Sequence, residues 1–266
     1  MIKVLFIGDI VGKIGRDTVT KILPKFKKEK KIDLVIANAE NSAHGSGITE
    51  RIIIELEKAG IDFFTMGDHA LRRKNEAELY KLPNIIRPAN FPPSNPGSGF
   101  SIIEIKSKKI LVISLIGRVF MKYDYDCPFR KIDEILANNS LLASDIFAII
   151  VDIHAEATSE KISLFHYLDN RVNAILGTHT HVQTADEFIN KNGTAYITDV
   201  GMTGASDSSI GIDKNTAIKN FLSQVKTNHI IPEKGEAIFN AVIIELNEKD
   251  AKCKKIKRIS NKIIIN

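Results

Sequence analysis

A pair of histidines, His179 and His181, follows an apolar run at residues 172–176 that stops at Gly177. If this run is a β-strand, both histidines lie in the loop just beyond its carboxyl end, where the backbone can direct both imidazoles toward one point. Metal sites in proteins with few cysteines are commonly built in this way. Alone, a His-x-His pair is equally compatible with ordinary surface or core histidines.

Other predicted strand ends carry side chains of the same chemical types. The candidate ligands are Asp9, Glu40, Asn41, Asp68, His154, His179 and His181, with His69 beside them. Carboxylate and imidazole groups without thiolates suit manganese, iron, zinc or a similar first-row ion. Their number exceeds what one ion needs, and unpaired charges at the edge of a core are costly. Two ions that share a bridging carboxylate would use all of these groups, so the sequence predicts a dinuclear centre.

Several of these residues also have an ordinary structural explanation. Asp9 could cap a helix, Asn41 could hold a turn, and Glu40 could be a solvated acid. His154 could be a hydrogen-bonded core histidine. Asp152 is predicted to be the last residue of its strand, without a role in chemistry. Three further histidines are not predicted to be ligands: His44, His166 and His229. Explanations for single residues do not account for ligand-type groups at five strand ends.

The elements that must position these groups follow a regular order. β-branched and aromatic runs at residues 2–7, 34–37 and 62–66 predict three strands, and amphipathic helices are predicted after the first two, at 17–28 and 49–58. Successive strand-then-helix units argue for a mostly parallel sheet with its functional loops at the carboxyl ends of the strands.

The middle of the chain is predicted to differ. Residues 100–105 and 109–115 are predicted to form an antiparallel pair, and the irregular stretch 118–129 is a candidate lid, active-site rim or partner surface. The strand-and-helix pattern resumes at 146–151 and ends in two closing strands. No repeat, linker or low-complexity tract divides the sequence, so we expect one α/β domain over residues 1–266.

Composition narrows the function classes. The chain has 266 residues, of which 44% are hydrophobic, enough for a substantial core. A net charge of +5 allows an anionic partner, but no interleaving of arginine with aromatic residues predicts a nucleic-acid surface. Cys127 and Cys253 are far apart and predict neither a disulfide framework nor a thiolate metal site. No apolar run approaches the ~18 residues of a membrane span, so we expect a cytoplasmic protein without a membrane partner.

Five segments together resemble the ordered motifs of the calcineurin-like metallophosphoesterases. They are Gly8-Asp-Ile-Val-Gly12, Asn38-Ala-Glu-Asn41, Gly67-Asp-His69, Asp152-Ile-His-Ala-Glu156 with Thr158-Ser-Glu-Lys161, and Gly177-Thr-His-Thr-His-Val-Gln-Thr-Ala-Asp186. The match is more specific to the bacterial YmdB-like branch, the 2′,3′-cyclic-nucleotide 2′-phosphodiesterases, and spans nearly the whole chain. The resemblance implies a four-layer α/β/β/α sandwich with a dinuclear site that usually contains iron or manganese.

The resemblance also implies a role for each candidate. Asp9, Glu40, Asn41 and His181 would hold the first ion, and Glu40, as a bridge, would hold the second ion together with Asp68, His154 and His179. His69 would be the proton donor near the scissile phosphate. We expect iron, with manganese or zinc as alternatives. The implied reaction is hydrolysis of a 2′,3′-cyclic nucleotide to a 3′-nucleotide by a hydroxide that bridges the two metal ions.

Two positions decide how far the resemblance extends. Val11 stands where the wider superfamily has histidine, as it does in the YmdB-like branch, which weakens an interpretation as a general protein phosphatase. Asp68 stands where the family has asparagine, and an anionic ligand should bind the ion more tightly and reduce its Lewis acidity.

A broader phosphodiesterase or phosphatase acting on RNA ends stays open, as does a metal-containing nucleotide-binding regulator with little turnover. A homo-oligomer is also open, because the stretch 118–129 is apolar.

Overall fold

The chain is described by a computed structural model that covers residues 1–73, 75–138, 141, 143–225 and 227–266. The strands are β1 (Ile2–Ile7), β2 (Asp9–Ile10), β3 (Leu34–Asn38), β4 (Phe63–Thr65), β5 (Ile85–Ile86), β6 (Phe100–Ile105), β7 (Lys108–Ile116), β8 (Ile146–His154), β9 (Ala174–Thr178), β10 (Phe188–Ile189), β11 (Ala195–Ile197), β12 (Met202–Ala205), β13 (Gly235–Leu246) and β14 (Cys253–Ile265). The helices are α1 (Gly12–Lys30), α2 (Glu50–Ala59), α3 (Glu76–Leu79), α4 (Pro128–Leu136), α5 (Thr158–Tyr167) and α6 (Lys214–Ser223).

The first sheet has eight strands, with the order β2-β12-β13-β1-β3-β4-β5 and with β14 paired to β13. β1, β3, β4 and β5 are parallel, so that Val4 lies opposite Leu34 and Ile36 opposite Phe63. β13 pairs antiparallel with the other side of β1. The carboxyl ends of β1, β3 and β4 therefore lie side by side at one edge of this sheet.

The second sheet has six strands in the order β10-β11-β9-β8-β7-β6. Its four central strands are parallel, and β6 and β10 form antiparallel edges. The register of β8 and β9 places His154 opposite Thr178. The carboxyl ends of β8 and β9 are therefore adjacent, as those of β1, β3 and β4 are in the first sheet.

Three apolar cores separate four layers. Helices α1 and α2 pack on the outer face of the first sheet, where Leu23 joins Val35 in one core. Phe6 and Val112 belong to a second core between the two sheets. Leu164 of α5 belongs to a third core, on the outer face of the second sheet. This arrangement is the α/β/β/α sandwich predicted from the sequence, and the prediction is confirmed.

Helix α1 begins earlier than the sequence predicts, at Gly12 rather than near residue 17. Gly12 has a φ of +62°, which glycine adopts readily, and Gly15 packs so tightly against the carbonyl of Thr203 that a Cβ atom there would lie 2.4 Å from the oxygen. The early start thus depends on a tertiary contact. Pro24 lies inside the helix and does not end it.

No helix in the described part of the chain is long and apolar enough to cross a membrane.

Candidate metal centre

The eight predicted site residues converge where the carboxyl ends of the two sheets meet. Glu40, Asp68, His154 and His179 each offer a ligand atom, and these atoms lie within 4.8 Å of one another. They come from the ends of β3, β4, β8 and β9, two strands in each sheet. The same four residues are those that the family resemblance assigns to the second ion. Their ligation stays a prediction, but their proximity is what such an ion would need.

Glu40 joins this cluster to the remaining candidates. Its Oε1 atom lies 3.2 Å from Nε2 of His154 on one side and 3.3 Å from Nδ2 of Asn41 on the other. Asn41 Nδ2 in turn lies 3.3 Å from Nε2 of His181. One buried carboxylate therefore contacts both groups of ligands, which is the position that a bridging ligand must occupy.

Asp9 provides a test of whether a cation fits between these residues. Its Oδ2 atom accepts a hydrogen bond from the backbone N–H of His179 at 3.2 Å. Its Oδ1 atom is buried and has no hydrogen-bond partner among the described residues, while Nε2 of His181 lies 3.7 Å away. A buried carboxylate oxygen without a partner is costly. A metal ion bound between Asp9 and His181 would satisfy it.

The orientation of all three histidines also fits a cation. His181 Nδ1 donates to the carbonyl of Ile210 at 2.8 Å. His154 Nδ1 lies 2.9 Å from the hydroxyl of Thr178, which itself donates to Oδ1 of Asp152 at 2.7 Å and so must accept from the histidine. In each ring, the outer nitrogen carries the proton and Nε2 faces the site. Outer hydrogen bonds of this kind are typical of metal-ligating histidines.

In His179 the two ring nitrogens have the opposite orientation, with Nδ1 facing the site and Nε2 facing outward. Its Nε2 atom lies 3.1 Å from Oε2 of Glu156, and its Nδ1 atom lies 3.0 Å from Nε2 of His154 and 3.6 Å from Oδ1 of Asp68. Because Nε2 lies beside the Glu156 carboxylate, Nδ1 is the nitrogen that faces the other candidate ligands. Three imidazole nitrogens thus point toward the same group of carboxylates.

The charges of the site require a positive partner. Burial alone would lower the pKa of His154, but the carboxylates of Glu40, Asp68 and Asp9 raise it well above its ordinary value. Burial likewise lowers the pKa of His179 to about 4, helped by the charge of His154. A metal ion bound here would compete with the proton on His154, because ligands must be deprotonated to bind a metal.

Asp152 is the point where the sequence prediction was wrong. It is not the last residue of its strand, because β8 continues to His154. Its buried carboxylate accepts hydrogen bonds from the hydroxyls of Thr65 at 2.6 Å and Thr178 at 2.7 Å, and from Nδ2 of Asn38 at 3.3 Å. Burial raises the pKa of Asp152 to about 6. Through Thr178, this carboxylate orients the ring of His154.

A buried ion pair holds the loop that carries His179 and His181. Lys161 and Asp199 are both fully buried, and the ammonium nitrogen lies 2.9 Å from Oδ2 of Asp199. The same oxygen accepts hydrogen bonds from the backbone N–H and the hydroxyl of Thr180, at 3.0 and 2.7 Å. The loop needs this support, because His179 and His181 have φ angles of 98° and 66°, which are unfavourable for residues other than glycine.

His69 lies at the entrance of the site. Its backbone N–H donates to Oε2 of Glu40 at 3.0 Å, and its Nδ1 atom lies 2.7 Å from Oδ1 of Asn41. With the Nδ1 proton donated to the amide oxygen of Asn41, the other ring nitrogen, Nε2, lies 3.8 Å from Oδ2 of Asp68. His69 and Asp68 line a cleft of about 560 Å³, within the usual range for small-molecule sites.

Two histidines that the sequence did not connect with chemistry, His44 and His229, also line this cleft. Neither belongs to the ligand cluster found among the described residues. Tyr123 and Tyr125, from the irregular stretch 118–129, line a second cleft that Asp68 also lines. This part of the stretch therefore lies beside the candidate metal centre, and its role as rim, lid or partner surface stays a prediction.

The fold is the four-layer sandwich of the calcineurin-like metallophosphoesterase type. Among solved structures, the NAD nucleotidase of Haemophilus influenzae matches with a TM-score of 0.61 and 14% sequence identity, over 99% of this chain and 56% of that one. Identity this low shows the fold alone.

The chain belongs to the YmdB-like protein family, whose model matches residues 5–259. It is 44% identical over 258 residues to the 2′,3′-cyclic-nucleotide 2′-phosphodiesterase of Bacillus subtilis, over 97% of this chain and 96% of that one. The crystal structure of a novel phosphatase from Mycoplasma pneumoniae matches with a TM-score of 0.91 and 35% identity, over 99% and 93% of the two chains. The family and the enzyme class predicted from the sequence are confirmed.

Proposed function

We propose that this chain is a dinuclear metal phosphodiesterase that hydrolyses 2′,3′-cyclic nucleotides at the 2′ bond and releases 3′-nucleotides. The observation that carries the proposal is the position of Glu40 between two groups of ligand atoms, with His69 beside it at a cleft. The choice of substrate is supported by the Bacillus subtilis relative, whose name specifies that activity.

The chain's residues divide into two ligand sets. Asp9, Asn41 and His181 would hold one ion and Asp68, His154 and His179 the other, with Glu40 shared by both. Imidazole and oxygen ligands fit iron, the ion that we expect, and also manganese or zinc. When bound, such ions supply Lewis acidity that activates water and neutralises phosphate charge.

His69 is suited to be the general acid. Asn41 accepts its Nδ1 proton at 2.7 Å and fixes the ring, so that the protonated imidazolium can deliver its Nε2 proton to the departing ribose oxygen and become neutral. The side chain is about one-third exposed, so a substrate can reach it. A positioned general acid typically contributes about 10²- to 10⁴-fold to the rate. The contribution is largest for leaving groups that are poor without protonation.

Metal content and product identity, measured on one preparation, test the proposal. We expect elemental analysis to find about two first-row ions per chain. After incubation with 2′,3′-cyclic AMP, we expect chromatography of the reaction mixture to identify 3′-AMP as the product. Appearance of 2′-AMP would refute the regiochemistry, and absence of metal from active protein would refute the dinuclear centre.

The role of His69 has its own test. His69→Ala should retain both metal ions and lose most turnover of 2′,3′-cyclic AMP, while hydrolysis of an activated p-nitrophenyl diester is largely spared. His166→Ala, at an exposed helix position, is the control. Equal losses on both substrates would show that His69 is a ligand or a structural residue instead.

A second candidate function is supported by Asp68. The charge and hydrogen bond of His154 hold the pKa of this carboxyl well below its ordinary value in spite of partial burial, so the ligand is anionic where the family resemblance has a neutral amide. A more anionic site would favour a nucleotide-binding regulator with little turnover. Two bound ions and tight binding of 2′,3′-cyclic AMP without product would support it, whereas turnover of RNA ends would favour a broader phosphodiesterase.

A further inference from the structure

A second cleft adjoins the metal centre and has no role in the chemistry described so far. We call it the aromatic cleft and define it by Asp68, Arg72, Phe91, Asn95, Tyr123 and Tyr125. Its volume is about 400 Å³, which lies in the range of small-molecule sites. Asp68 lines both this cleft and the larger cleft of the metal centre, so the two clefts are adjacent.

The walls of the aromatic cleft are flat π-surfaces. Tyr125 stacks on Phe91 with ring centroids 5.1 Å apart and an angle of 3° between the planes. Tyr123 meets Tyr125 edge to face at 6.1 Å and is 49% exposed. The guanidinium carbon of Arg72 and the ammonium nitrogen of Lys122 lie 5.3 and 5.1 Å from the centroid of the Tyr123 ring. Aromatic rings and arginine planes are the groups on which proteins stack unpaired nucleobases.

Arg72 connects this surface to the metal centre. Its Nε atom donates to the backbone carbonyl of Asp68 at 3.0 Å, and its Nη1 atom donates to the hydroxyl of Tyr123 at 3.3 Å. The side chain thus fixes the position of Tyr123 relative to a predicted metal ligand. Such a link is needed where a reacting group and a distant part of the same substrate must be held together.

We propose that the aromatic cleft binds the nucleobase of the substrate, with the base stacked against Tyr123 and Arg72. This rests on the proposed function. In a 2′,3′-cyclic nucleotide, both phosphate ester oxygens belong to one ribose, and the base is attached at the carbon next to C2′. When His69 protonates the 2′ oxygen of a ribose, the base of the same nucleotide must therefore lie no farther from His69 than about the length of that ribose. The aromatic cleft begins at Asp68, the residue before His69.

The main competitor is a more apolar cleft whose lining includes Ile210, Ile212, Phe221, Val225 and His229. It also adjoins the metal centre, since Ile210 and His229 line both clefts. It lacks a tyrosine and an arginine among its lining residues, and Phe221 is 83% exposed on the surface of α6. The aromatic cleft therefore offers the better stacking surface.

The test compares ligands with and without a base. Dissociation constants of 3′-AMP and of ribose 3-phosphate are measured by calorimetry on metal-loaded wild type and on Tyr123→Ala. We expect about tenfold weaker binding of 3′-AMP by the variant, equivalent to about 1.4 kcal/mol, and unchanged binding of ribose 3-phosphate. Tyr123→Phe keeps the ring but loses the hydrogen bond from Arg72, so it should bind 3′-AMP more tightly than Tyr123→Ala does and no more tightly than the wild type. Phe221→Ala is the matched variant in the competing cleft.

Kinetics with 2′,3′-cyclic AMP and with methyl riboside 2,3-cyclic phosphate separate the outcomes. If the wild type hydrolyses both but Tyr123→Ala binds 3′-AMP normally, the base site is wrong and the proposed function stands. If Phe221→Ala weakens 3′-AMP binding instead, the base lies in the competing cleft. If the wild type hydrolyses neither compound, the proposed function fails, and equal affinities for 3′-AMP and ribose 3-phosphate would then also overturn the base site.

Discussion

Replacing Lys161 by methionine would test how the loop from His179 to His181 is held. The ammonium nitrogen lies 2.9 Å from Oδ2 of Asp199 and 2.8 Å from the carbonyl oxygen of Thr178, and both charged side chains are fully buried. Removing one partner of a buried ion pair typically costs about 3–5 kcal/mol. Asp199 keeps its hydrogen bonds from neighbouring residues, so we expect Lys161→Met to lower the free energy of unfolding by about 3 kcal/mol.

Urea denaturation of the metal-free protein measures this loss, and an exposed ion pair supplies the control. Lys214 lies 2.7 Å from Asp207, but the two side chains are 52% and 70% exposed. Lys214→Met should therefore cost less than about 1 kcal/mol. The double variant Lys161→Met/Asp199→Asn should recover about half of the loss, since it no longer contains an unpaired buried charge.

Metal affinity should fall together with stability in Lys161→Met. Asp199 positions Thr180, and the histidines on either side of Thr180 have positive φ angles, each of which costs about 1–3 kcal/mol when it is not held by its surroundings. We expect affinity about 10- to 100-fold weaker in a chelator competition assay. A stability loss below 1 kcal/mol, or unchanged metal affinity in a destabilised variant, would refute the account of the loop.

Three further changes address single contacts. Glu156→Ala removes the carboxylate 3.1 Å from Nε2 of His179 and should weaken metal binding about 10- to 100-fold in the same assay, with little change in stability because Glu156 is half-exposed. Asp68→Asn should retain metal less well and turn over faster; equal rates and metal content in both forms would mean that the change is neutral. Burial raises the pKa of Glu76, although its two oxygens accept hydrogen bonds from the backbone N–H of Arg73 and the hydroxyl of Tyr80. A raised folded-state pKa favours folding at low pH, and this contribution is lost as pH rises. In urea denaturation, the stability of the wild type relative to Glu76→Gln should therefore increase as the pH falls from neutral, and a difference that does not change with pH would contradict this.

The sequence was sufficient to predict the positions of the candidate ligands because strand ends are visible in it. Asp9, Glu40 and Asp68 each follow an apolar run, and the structure places all three beyond the carboxyl ends of the parallel strands β1, β3 and β4 of one sheet. The layer order could be predicted from the family resemblance. The early start of α1 could not, because it depends on the contact between Gly15 and Thr203, which are distant in the chain.

Residues that support the ligands are harder to predict, because a polar residue in a hydrophobic pattern is normally assigned to the solvent-facing side of a strand or helix. Lys161 and Asp199 are separated by 38 residues, and Asp152 is separated from its donor Thr65 by 87. Each charge is tolerated in the interior only because the fold brings a distant partner to it. The polar residue at 152 was therefore mistaken for the end of a strand that in fact continues to His154.

The difference between ligands and supporting groups has a chemical origin. A first-row metal ion accepts few kinds of side chain, so a set of carboxylates and imidazoles at strand ends is a restrictive pattern. A group that orients a ligand needs only one acceptor in the right place. Here a threonine hydroxyl serves His154, a carboxylate serves His179 and a backbone carbonyl serves His181. Because the carbonyl could belong to any residue, no sequence pattern would identify it, and only the fold of the chain determines which residue provides it.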